Sequence, residues 1–177
     1  MTYTAMPSQV RFEAGSTLTA ALLVLVVAAA TIAGAWFFQL VLDIQPCPMC
    51  LEQRYAYYAL IPLSALVALG AAKDAPRPLL TSALVVIALV AAGNSVFGGY
   101  HAGVEWKFWH GPTDCTGPVV DFGKAGSLLE QLDKVKVVRC DEVQWRFLGL
   151  SLAGYNALIS ALMAAIAAWG LVRAAKA

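Results

Sequence analysis

The sequence predicts an all-α membrane protein, a bundle of four transmembrane helices, and three observations carry that prediction. Hydrophobic residues make up 60% of the 177 positions and charged residues 13%, where a soluble domain is nearer half apolar and a quarter charged. The excess is gathered into four blocks that contain no Asp, Glu, Lys or Arg. The blocks are long and do not alternate, which argues against the strands of a membrane β-barrel.

The first block runs over residues 18–42. A bilayer core about 30 Å thick needs roughly 20 helical residues, so this block can span. It also carries signal-peptide features, with Arg11 before it and small residues at Ala33 and Ala35. However, it continues through WFFQLVL, well beyond an h-region of roughly 7–15 residues. It is therefore a span preceded by a short polar tail. The second block, 55–72, is just long enough, and the blocks 78–100 and 147–172 are ample. The chain 1–177 thus reads as a single integral membrane domain, and no nucleic-acid partner is expected of it.

Four spans place both termini on one side, together with Arg11, the loop KDAPRP and the end RAAKA. Lys and Arg in short loops favour the cytoplasm, whereas the lysines of a long loop weigh little. The expected topology has cytoplasmic termini and two outer loops, 43–54 and 101–146. All four cysteines fall in those loops, Cys47 and Cys50 in the first, Cys115 and Cys140 in the second.

An even cysteine count on an oxidising side points to disulfides. Four cysteines allow three connectivities; proximity favours Cys47–Cys50, leaving Cys115–Cys140. Closing the larger loop would stabilise by about 3.5 kcal/mol in the chain-entropy model, so a structural staple is a reasonable reading there. The four-residue ring of Cys47–Cys50 constrains little, and C-x-x-C is instead the spacing at which one thiolate exchanges readily with its neighbour. If the second helix begins near Cys50, that sulfur meets the unpaired N–H groups of a helix N-terminus, and Arg54 at i+4 shares its face. Both effects favour a thiolate. The bland reading of Arg54 is an arginine snorkelling to headgroups. A zinc site is the rival use of four cysteines, but Cys115 and Cys140 lack ligand neighbours at knuckle spacing, and no metal is expected.

The long loop has further readable parts. Ser127 to Glu130 form a capping-box pattern opening a short amphipathic helix with Leu128, Leu129, Leu132 and Val135 on one side, placed to lie on the membrane or to pack against the bundle. Trp106, Phe108 and Trp109 read as interfacial aromatics. Gly111-Pro112 and Gly117-Pro118 set turns on either side of Cys115. Within the spans, Asn94 and Asn156 suit interhelical hydrogen bonds, and Ser95 with Gly99 forms a small-xxx-small pair.

The runs CPMCLEQRYAYY, YHAGVEW before GPTDCTGP, and CDEVQWRFLGLSLAGYN closely resemble the DsbB family, bacterial inner-membrane proteins that oxidise DsbA and pass electrons to a quinone. The resemblance covers essentially the whole chain. It implies a thiol:quinone oxidoreductase with periplasmic cysteines, a DsbA-like partner, and ubiquinone or menaquinone as acceptor. It implies roles as well. Cys115 would be attacked by reduced DsbA, and Cys140 would pass electrons to Cys47. Cys50 would face the quinone with Arg54 beside it, and His101 would lie near the quinone. Internal bridges as stable as ordinary structural disulfides would oppose that flow by roughly 8 kcal/mol, so a stabilised thiolate is expected in the relay. Two other classes stand beside this reading. A vitamin-K-epoxide-reductase-like enzyme shares the chemistry but carries its C-x-x-C near the last helix. A non-enzymatic membrane protein would hold structural bridges or a bound metal.

Overall fold

The computed structural model describes residues 8–112 and 138–176. Four long helices dominate it: α1 Ser8–Leu40, α2 Pro48–Ala72, α3 Arg77–Glu105 and α4 Leu152–Ala175. All four are long and apolar enough to cross a membrane, α1 from Gly15 onward. Large apolar side chains stay exposed on every helix, among them Val26, Leu66, Leu89 and Leu162. With hydrocarbon as the solvent these faces need no protein cover, and the helix is the form that satisfies every backbone group within its own segment. The chain is a multi-pass membrane protein.

The helices close a ring in which α1 packs on α2 and α4, and α3 packs on α2 and α4, the α3–α4 contact being the most extensive. The core is a stripe from each helix. It includes Val24 and Ala28 of α1, Leu60 and Val67 of α2, Leu84 and Ile87 of α3, and Met163 and Ala167 of α4. Small residues set the approach of the backbones, as in membrane bundles generally. A Cβ on Gly170 would lie 2.7 Å from the Ala20 Cβ. A Cβ on Gly98 would lie 2.9 Å from Asn156 Nδ2 and 3.0 Å from the Ala157 backbone nitrogen. Ser95 Oγ donates to the Ala157 carbonyl at 2.8 Å. Gly99, expected as the small partner of Ser95, meets nothing within 4 Å. The contact belongs to Gly98 because the buried stripe of α3 runs Ile87, Ala91, Asn94, Gly98, His101.

The element ends differ from the charge-free blocks. α2 starts at Pro48, seven residues ahead of the block at 55–72, because Pro48 occupies the first helical position behind an N-cap at Cys47 and proline's fixed φ suits that place. α4 starts at Leu152, after the block's nominal beginning at 147. Here Arg146–Phe147 (β1) pairs antiparallel with Leu150–Ser151 (β2). The turn between them has φ +47° at Leu148 and +83° at Gly149, the doubly positive form that two-residue hairpins favour. The outer-loop helix expected near Ser127–Val135, the Gly117-Pro118 turn, Cys115 and its pairing with Cys140 lie outside the described residues.

One consequence concerns the α3–α4 seam. Gly98→Ala should lower the unfolding midpoint in detergent, with a cost of about 1–3 kcal/mol because the new methyl meets backbone that cannot move aside. Gly99→Ala should leave it unchanged or raise it, since an unobstructed helical Gly→Ala gains about 0.5–1 kcal/mol. Thermal unfolding followed by circular dichroism measures both, and equal midpoints would remove Gly98 from the seam.

Candidate functional site

Cys47, Cys50 and Cys140 gather at the end of the bundle where α1 and α3 finish and α2 and α4 begin. Cys47 is the N-cap of α2, with extended backbone at φ −72° and ψ 166°. Its sulfur accepts the Cys50 backbone N–H at 3.2 Å, the service usually given by Ser, Thr or Asp. This corrects one expectation: the sulfur taking the helix N-terminal donor is that of Cys47, because the helix begins at Pro48 and Cys50 already lies inside its first turn. The two sulfurs lie side by side, Sγ···Sγ 2.6 Å, as free cysteines. The hydrogen bonds around Cys47 are those that favour a reduced, negatively charged sulfur.

Two elements besides α2 converge on Cys47. From α3, His101 Nε2 faces its sulfur at 3.6 Å. From the segment before β1, Cys140, itself disulfide-bonded, packs into the same buried cluster with Cys47 and Met49, flanked by Cys50, Phe97 and Val138. An exposed ion network steadies Cys140's neighbour. Asp141 accepts from Lys107 Nζ at 2.6 Å and from Arg139 Nε at 2.9 Å, and these two cations hold its carboxyl well below the usual carboxylate range. At the start of α4, Ser151 caps the helix by accepting from Gly154 N–H, and its hydroxyl donates to the Glu105 carboxylate.

The electrostatics single out Cys47. Donation from the Cys50 thiol lowers its pKa first, burial opposes, and the His101 contact lowers it further, leaving it at about 5. These contacts favour the thiolate, the form that attacks disulfides.

Arg54 departs from expectation in its partners. Its guanidinium donates to Gln39 Oε1 at 2.7 Å and to the Ala35 carbonyl at 3.4 Å, and it sits 5.5 Å from the centre of the Trp36 ring. Both acceptors stand on the last turns of α1, one a side-chain amide and one a backbone carbonyl, and they take the guanidinium's N–H groups in place of the cysteine sulfurs. Arg54 nonetheless lines a cavity of about 410 Å³ between the helices, as do Cys50, His101, Tyr57, Phe38 and Trp145. Phe38 and Trp145 meet edge to face with centroids 5.0 Å apart. Apolar walls with a few polar groups are what a small, mostly apolar ligand requires.

Cys47, Cys50 and His101 also offer three ligand atoms within 4.8 Å of one another, a set that spacing in the sequence could not show because His101 arrives from another helix. With sulfurs 2.6 Å apart and zinc–sulfur bonds of about 2.3 Å, the angle at zinc would be roughly 70° against a tetrahedral value of about 109°. The sulfurs would have to part before a metal could sit between them. Sequence reasoning missed Gln53, Tyr57 and Glu105. Gln53 and Tyr57 do carry a signal: with Leu60 and Ser64 they fall on one buried helical stripe of α2, and polar residues on an inward stripe of a membrane helix are functional candidates.

Comparison with known proteins adds the following. The family model described as "Disulfide bond formation protein DsbB" matches residues 17–170. A protein of Marinobacter nauticus called "Disulfide bond formation protein B" is 31% identical over 85% of this chain and 89% of its own length. One of the same name from Aromatoleum aromaticum is 34% identical over 77% of this chain and 81% of its own. A third, from Burkholderia pseudomallei, is 30% identical over 85% and 87%. No solved structure matches.

The low pKa of Cys47 has a measurable sign. Lowering pH through about 5 should protonate the thiolate and suppress thiol exchange, while raising pH from 6 to 8 should change it little. In reduced protein, the ultraviolet thiolate absorbance lost on Cys47→Ala should titrate with that midpoint. His101→Phe, which removes one of the lowering contacts, should move the midpoint upward. A Cys47 midpoint in the range of a free thiol, about 8.5, would contradict this assignment.

Proposed function

The chain belongs to the DsbB family, and from that premise we propose that this membrane thiol oxidoreductase reoxidises a DsbA-like periplasmic dithiol protein and delivers the electrons to a membrane quinone. The observation that carries the reading is the burial of Cys140 against Cys47 and Cys50. A cysteine of the second loop and the C-x-x-C of the first share one water-poor cluster beside a cavity.

The steps balance in thiols and disulfides. The thiolate of the reduced partner attacks a Cys115–Cys140 disulfide at Cys115, forming a mixed disulfide and releasing Cys140 as a thiolate. Cys140 attacks Cys47 of an oxidised Cys47–Cys50 pair, and Cys50 leaves as a thiolate. The partner's second thiolate resolves the mixed disulfide at Cys115 and departs oxidised. Cys115 then displaces Cys47 from Cys140, which restores the outer bridge and leaves two electrons on Cys47 and Cys50. When bound, a quinone accepts two electrons and two protons, which permits the inner pair to close again. Arg54, Cys50 and His101 would hold it in the cavity, whose size and apolar walls suit a ring with a short length of tail. Arg54 presents fixed positive charge there, and its anchorage on Gln39 and Ala35 keeps that charge at the cavity wall.

The relay assigns different duties to its cysteines. With reduced DsbA as donor and a short-tailed ubiquinone as acceptor, both Cys115→Ala and Cys50→Ala should abolish quinone reduction, read as loss of quinone absorbance. With a small dithiol as donor, Cys115→Ala should retain part of the activity and Cys50→Ala should retain none. Equal loss in both assays would overturn the division. DsbA lacking its second active-site cysteine should become covalently trapped at Cys115; an adduct mapped to Cys47 would overturn that order of steps.

A further inference from the structure

A continuous line of side-chain hydrogen bonds runs from the interior of the bundle to Cys47. Asn156 Oδ1 accepts from Tyr57 Oη at 2.5 Å and from Asn94 Nδ2 at 3.4 Å. Asn156 Nδ2 donates to Gln53 Oε1 at 2.7 Å. The amide nitrogen of Gln53, now turned the other way, lies 2.9 Å from His101 Nδ1. His101 Nε2 faces the Cys47 sulfur at 3.6 Å. Gln53, Asn94 and His101 are buried and Asn156 is half-buried, and the chain runs along the wall of the cavity.

We propose that Gln53, held by Asn156, is a positioning residue that fixes the tautomer of His101, so that Nδ1 is the acceptor and the proton on Nε2 points at Cys47. A primary amide has one accepting and one donating end. With its oxygen engaged by Asn156, Gln53 offers His101 only N–H, and a proton on Nδ1 would set donor against donor. The amides can reverse only as a set, since turning Gln53 alone leaves two nitrogens facing each other at Asn156. The end at Cys47 selects between the two directions: its sulfur already stands as acceptor to the Cys50 backbone N–H, and a proton on Nε2 gives it a second donor. The second nitrogen of an imidazole is commonly governed in this way by what the first one meets.

This deepens the proposed thiol-oxidase reading and rests on it for its consequence. A proton held on Nε2 stabilises Cys47 as the departing sulfur when Cys115 recloses the outer bridge. The geometry itself is independent of partner and quinone, and so is the test.

Nitrogen-15 spectra of the histidine ring distinguish a protonated from an unprotonated nitrogen. They would be recorded on reduced, ring-labelled protein without partner or quinone. The background is His110→Gln, which removes an exposed ring and leaves intact the backbone carbonyl that Tyr100 contacts. The expected spectrum has His101 with Nε2 protonated and Nδ1 bare. Gln53→Glu keeps the shape and the acceptor for Asn156 but replaces the donor by a second acceptor, and should place a proton on Nδ1. Gln53→Met removes both functions and should give a mixture of tautomers, which keeps the test decisive if the charged variant does not fold. A wild-type ring with Nδ1 protonated would overturn the proposal, as would a ring signal unchanged in Gln53→Met. Failure of quinone reduction with intact tautomer selection would instead count against the thiol-oxidase reading alone.

Discussion

The sulfur of Cys47 is buried at the first turn of α2, where it accepts a backbone N–H and faces both the Cys50 thiol and the His101 imidazole. Each contact comes from a different constraint. The helix start is set by Pro48, the imidazole by the packing of α3, and the neighbouring Cys140 by the segment that Lys107 and Arg139 fasten through Asp141. A shift of any helix by a fraction of an ångström would change the charge on that sulfur. The small residues at Gly98 and Gly170 therefore matter to the chemistry although they lie away from it, because they determine how closely α4 sits against α3 and α1.

Lipid makes this economy possible. A soluble bundle would need an apolar core to hold together and could spare few inward positions for polar groups. Here the outer faces are apolar and the interior admits Tyr57, Asn94, Asn156 and Ser160, joined to one another by hydrogen bonds. Such bonds contribute only about 0.6 kcal/mol each in membranes. Their larger effect is on register, since sliding one helix by a residue would leave several polar groups unpaired in hydrocarbon, at a cost of several kcal/mol apiece.

The helices were legible because a charge-free run of membrane-spanning length is hard to accommodate anywhere but in a bilayer. For the cysteines the sequence offers a chemical argument: a four-residue ring is a poor staple, so C-x-x-C beside an apolar block points to exchange chemistry. What escaped was tertiary. Arg54 stands four residues after Cys50, and helical spacing alone aims it at the sulfur; the acceptors that capture it, Gln39 and the Ala35 carbonyl, belong to α1. The identity of the capping cysteine turned on a two-residue difference in where α2 begins, within the ordinary uncertainty of helix ends. Gln53 carries a signal only through its place on the buried stripe of α2. Only the arrival of His101 on one side and Asn156 on the other gives its two ends different work.

Cys47 and Cys140 are 2% and 1% exposed. A thiol–disulfide exchange proceeds only along the line of the sulfurs, so a reagent must reach the back of a sulfur to intercept it. From the surrounding water that approach is wider at the half-buried Cys50 than at these two atoms. A bridge formed between two such atoms would be insulated, screened from dissolved thiols by access rather than by energy.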